Sequence, residues 1–122
     1  MRKTIPLALL LAALTLPALA DTYPVNGPWG QSTSSNKGPI DCAGKRVIAF
    51  NGNQRTDSHG GVPAYRNVSV TPQGPSSYRV VDQFSNGLVN NGSVYYTLRR
   101  IDDDHIVMQL QQGGTLKLQR CN

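Results

Sequence analysis

The residues of this chain that could do chemistry are few and fall into three groups. The densest is Asp57-Ser58-His59-Gly60-Gly61, which places a carboxylate, a hydroxyl and an imidazole beside two glycines. A nucleophilic relay needs those three groups converging on one point, and consecutive residues on one loop seldom converge. There is no Gly-x-Ser-x-Gly elbow to expose a serine. The second group is Asp102-Asp103-Asp104-His105. It lacks the ligand spacing of a calcium loop, and two histidines never share a face for zinc. Aspartates in a tight turn bond to their own backbone instead. The third group interleaves aromatic and basic residues: Tyr65-Arg66, Tyr78-Arg79, and Tyr95-Tyr96 ahead of Arg99-Arg100. On a sheet such residues can offer stacking faces and cations to an anionic ligand. The sequence therefore predicts no catalytic set, no metal site and no cofactor, and points to a binding protein.

The first 20 residues carry a secretory signal: Arg2 and Lys3, an apolar stretch from Ile5 to Leu16, then Pro17 and Ala18-Leu19-Ala20. That stretch is shorter than the roughly 20 residues a bilayer requires, so cleavage after Ala20 is expected and no transmembrane segment. Asp21, not cysteine, follows the cleavage site, which argues against a lipoprotein. The predicted product is periplasmic or secreted. It has 102 residues, enough for one domain with a modest core. In an oxidising compartment its two cysteines, Cys42 and Cys121, are expected to pair.

Loss of Arg2 and Lys3 lowers the formal net charge from +5 to +3, and all seven acidic residues are aspartates. The missing glutamate disfavours helix. A surplus of Lys and Arg outside the cytoplasm suits anionic neighbours, although nucleic acid is not expected as the main partner of an exported protein.

Residues 21–40 are rich in Pro, Gly, Ser and Asn, and read as an irregular arm with Trp29 either packed on the body or exposed as an anchor. Residues 41–122 read as a single β domain. Val47 to Phe50 is a short apolar burst ended by Asn51-Gly52. A long polar loop is then expected from Asn51 to Pro63, with Arg55, Asp57 and His59 near its tip. Alternation follows: Arg66, Val68 and Val70 on one face; then Tyr78, Val80, Asp82 and Phe84. The clearest stretch predicts a three-stranded meander with Val94, Tyr96 and Leu98, then Ile106, Met108 and Leu110, then Leu116 and Leu118 facing inward. The Asn86-Gly87 and Asn91-Gly92 pairs suit tight turns but lie too close for both to bound full strands.

The fold expected is all-β: a small antiparallel barrel or compact sandwich of about six to eight strands, closed by one disulfide. The function expected is an exported binding protein, an inhibitor or immunity-type protein masking a cell-wall hydrolase or secreted toxin. Arg55, Asp57 and His59 are its candidate contacts. The alternatives are a binder of a small or polyanionic ligand, using Tyr78, Arg79, Arg99 and Arg100, and an envelope accessory protein docking through its arm.

Overall fold

The computed structural model describes residues 22–122; the predicted export signal lies outside them. Eight strands form one closed antiparallel barrel: β1 (Gly27–Gln31), β2 (Val47–Asn51), β3 (Gln54–Asp57), β4 (Tyr65–Gly74), β5 (Ser77–Phe84), β6 (Gly92–Arg100), β7 (His105–Leu110) and β8 (Thr115–Arg120). Each strand pairs with the next, and β8 returns to β1, so the sheet has no free edge to recruit another chain. The choice left open between barrel and sandwich is thus decided for the barrel.

The predicted meander is present as β6, β7 and β8, in the registers Leu98 to Met108 and Ile106 to Leu118. Alternation sends Val80, Tyr96, Leu98, Ile106, Met108 and Leu118 inward, where they meet Trp29, Ile48 and Phe50. Burying each of these large side chains is worth about 1.5–3 kcal/mol. The barrel is therefore filled by its own side chains.

Three features differ from the sequence reading. First, the segment read as an irregular arm contributes β1. Trp29 points inward from it, fully buried, with its indole N–H donating to the Asn26 carbonyl at 3.2 Å and the Arg120 guanidinium stacked on its ring. Trp29 is thus a core residue and not an exposed anchor. The strand lacks the usual apolar signature because Pro28 and Gly30 take its outward positions and Gly27, on the same side as Trp29, adds no side chain to the core.

Second, the expected loop from Asn51 to Pro63 is largely a hairpin. A tight turn at Gly52, with φ of 66°, leads straight into β3. Its inward residue is Arg55, so no apolar alternation marked it.

Third, Arg66, Val68 and Val70 do not share a face. The register of β4 on β5 shifts between Asn67 and Ser69. This bulge inserts an extra residue and reverses the alternation. Tyr65 and Asn67 face inward before it, and Val70 opposite Val80 after it.

The disulfide Cys42–Cys121 is formed, spanning 79 residues. It does not tie a first strand to a last one; hydrogen bonds between β1 and β8 do that. The bridge instead pins the long β1–β2 connection against the chain's end. That connection, residues 32–46, crosses the outside of β8. Ser32 N–H donates to the Lys117 carbonyl at 3.0 Å and Ile40 N–H to the Arg120 carbonyl at 2.8 Å. Gln119 faces outward, yet it is buried because the connection covers it. Its amide donates to the Asn36 and Gly38 carbonyls, both at 2.9 Å, while its oxygen accepts from the Ser32 hydroxyl.

Candidate functional site

The residues expected to contact a partner are scattered by the fold. Arg55 is only 3% exposed, inside the barrel, so it cannot stand at a loop tip. Its Nε donates to Asp82 Oδ2 at 2.8 Å, and its guanidinium lies 3.9 Å from the centre of the Tyr65 ring. Asp82 also accepts from the Tyr96 hydroxyl at 2.8 Å and the Asn67 amide at 3.1 Å. Burial would lower the guanidinium pKa, but Tyr96 and Asp82 outweigh it and raise it. Burial first, and the Asp82 charge with it, pushes the hydroxyls of Tyr23 and Tyr96 well above the usual tyrosine range. The cluster is a neutral, cross-linked polar core joining β3, β4, β5 and β6. It stands where β3 and β4 share the short register Gln54–Arg66 and Arg55–Tyr65.

Asp57 is tied down as well, accepting from Arg46 Nε at 3.0 Å and Nη2 at 2.7 Å. It also accepts from the backbone N–H of His59, while the Ser58 hydroxyl accepts from Val47 N–H. The acid and the hydroxyl of Asp57-Ser58-His59 thus shape the loop, and the acid bonds the histidine backbone, not its ring. Of the three expected contacts only His59 is exposed.

The second expected face divides in the same way. Tyr78 packs against the core and Arg100 pairs inward with Ile106, whereas Arg79 and Arg99 point outward. Adjacent residues of a strand must part like this. The outward pair gains a third member, Lys117. Register places Arg79 opposite Thr97, and Arg99, Val107 and Lys117 in one row across β6, β7 and β8. Among the described residues none of the three cations pairs with a carboxylate. The single aspartate of β5 to β8, Asp82, points inward, so this outer wall carries no acid. Exposed Tyr95, with Thr97 and Gln109, completes the face. Lys117 was within reach of sequence reasoning through the strand period. Its nearness to Arg99, set by register, was not.

At the barrel end where Tyr65 pairs with Phe84, two loops project side by side: residues 58–64 with His59, and residues 85–91. The latter is ordered by its own polar groups. Asn86 Oδ1 accepts from the N–H groups of Leu88 and Val89, each at 2.8 Å. Leu88 stands at its tip, 96% exposed.

Among the described residues no three of His, Cys, Asp and Glu gather into a metal-ligating group, and no helix is long and apolar enough to cross a membrane.

No protein-family model, curated protein or solved structure matches this chain.

Proposed function

We propose that this is a small exported binding protein that recognises an acidic polymer through the outer wall of β5 to β8. The observation that carries the reading is the co-facial set Arg79, Arg99 and Lys117, unpaired on a wall without carboxylates. Such an arrangement has physical consequences. Unpaired cations on a surface lose little solvation when an anion meets them, and an acid-free wall imposes no repulsion. The strands hold the backbone rigidly, so little ordering cost falls on association. The disulfide suits an oxidising compartment. The interior is occupied by core side chains, which directs recognition to the surface.

The test is retention of the purified protein on immobilised dextran sulfate, eluted in steps of salt. Retention that falls steeply with salt, and is lost in Arg79→Glu with Arg99→Glu, supports the reading. Retention unchanged by those substitutions, or absent at low salt, overturns it.

A second reading, an inhibitor or immunity-type protein masking a hydrolase or toxin, is favoured by the ordered loop that presents Leu88. An apolar tip held in place by Asn86 can enter a partner's pocket, with His59 on the neighbouring loop. Leu88→Asp should then release a captured envelope protein while leaving polyanion retention intact. A captured protein that stays bound to that variant counts against this use of the loop.

A further inference from the structure

The connection from Ser32 to Ser35 does not lie flat on the barrel. Together with the outer ends of β6, β7 and β8 it encloses a groove of about 330 Å³. Its floor is apolar. Val107 lies at the centre of the row Arg99–Val107–Lys117, and half-exposed Ile101 continues it. Its two cations flank Val107 from neighbouring strands, roughly 5 Å away on either side at the backbone. Arg99 and Lys117 are exposed and unpaired among the described residues.

The serine wall is fixed by the fold. Ser32 is bonded to Gln119 and to the Lys117 carbonyl. Ser34 N–H donates to the Ser32 hydroxyl at 3.1 Å, and the Ser34 carbonyl meets His105 Nε2 at 3.1 Å. His105 Nδ1 stands 2.8 Å from Asp102 Oδ1. Contacts at both ring nitrogens thus fix the orientation of the imidazole between the connection and the β6–β7 turn. The one carboxylate on the groove's rim, Asp102, is engaged by that ring.

We propose that this groove binds an organic oxyanion carried on an apolar body, the chemistry of an aryl or alkyl phosphate or sulfate monoester. The oxyanion bridges Arg99 and Lys117, and the apolar body lies over Val107 and Ile101. Neither half of the site suffices alone: a bare anion leaves the floor wet, and a neutral ring leaves the cations unmatched. The inference rests on the anionic reading of the wall and narrows it to one place and one ligand class.

Phenyl phosphate, inorganic phosphate and phenol are the probes, followed by amide chemical shifts of the purified protein. Phenyl phosphate should shift the amides of Ser34, Val107 and Lys117 in a saturable way. It should bind about tenfold more tightly than either inorganic phosphate or phenol. Val107→Asp should remove that advantage, and Lys117→Ala should weaken it. Both positions face outward, and an unchanged amide spectrum elsewhere verifies that each variant is folded.

Phenyl phosphate binding no tighter than inorganic phosphate overturns the groove as an amphiphile site. So do shifts that fall outside the groove. Dextran sulfate retention distinguishes the two proposals. If the parent protein is retained while phenyl phosphate fails to bind it, the groove inference is lost and the wall reading stands. If retention is also absent, both fall.

Discussion

Arg55 and Asp82 meet inside the barrel, Nε to Oδ2 at 2.8 Å, although 27 residues separate them in the chain. Removing one partner of a buried pair leaves a charge without compensation, at a cost of about 3–5 kcal/mol. Arg55→Ala should show a loss of that size in urea denaturation. Replacing both, as Arg55→Met with Asp82→Leu, should recover much of it, because no charge then remains buried. A double variant as unstable as the single one would show that the pair itself, and not its desolvated remnant, holds the barrel together.

Two tyrosines beside that pair make opposite predictions. Tyr96 donates its hydroxyl to Asp82, whereas the Tyr23 hydroxyl is buried without a hydrogen-bond partner. Tyr96→Phe should cost about 1–3 kcal/mol by leaving Asp82 short of a donor. Tyr23→Phe should be neutral or stabilising, since the ring keeps its edge contact with Phe50, with centroids 5.0 Å apart. Thermal unfolding of the two variants side by side checks the order. A larger loss from Tyr23→Phe would be the contrary result.

Gly30 faces outward on β1, where the disulfide crosses it. A Cβ there would collide with Cys42 Sγ. Gly30→Ala should destabilise the oxidised protein by about 1–3 kcal/mol. In the Cys42→Ser, Cys121→Ser background the penalty should shrink, because the constraint that holds the sulfur in place is gone. Loss of the bridge alone removes up to about 4 kcal/mol on the chain-entropy view. Equal penalties in the two backgrounds would separate Gly30 from the bridge.

Acid stability follows from Asp57 and Asp102. Burial works to raise the Asp57 carboxyl, but the Arg46 bonds and the His59 N–H outweigh it and hold it below the usual range. The His105 ring, then the Asp104 N–H, holds Asp102 down. A carboxyl with a lower pKa in the folded state binds fewer protons there than in the unfolded chain. Its contribution is therefore fully present above about pH 4 and is lost as the pH falls through the folded value. The melting temperature should drop on acidification, and Arg46→Ala should flatten part of that drop. An acid slope identical in the variant would exclude the Arg46–Asp57 pair as its source.

Local pattern was enough to mark the strands whose inward side chains are apolar. From Tyr78 to Phe84 and from Ser93 to Gln119, the period of two names the core residues one by one. The two cysteines and the lack of glutamate were enough for a disulfide-tied β domain. Strand β3 was illegible because its inward residue is Arg55, and a charged core residue looks like a loop until its counter-charge is known. Strand β1 hid behind glycines and proline, and the face of β4 was reversed by its bulge at Val68. The candidate site followed the same division. That Arg79 and Arg99 each face outward is implied by alternation once Val80 and Leu98 are core. That they share a wall with Lys117, and that Ser32 to Ser35 crosses beside it, depends on cross-strand register and on a connection fixed by Gln119, His105 and Cys42. Sequence by itself determined which side chains could be buried, because burial is written in local period. Only the tertiary structure decided which distant residues meet, because register and closure are properties of the whole barrel.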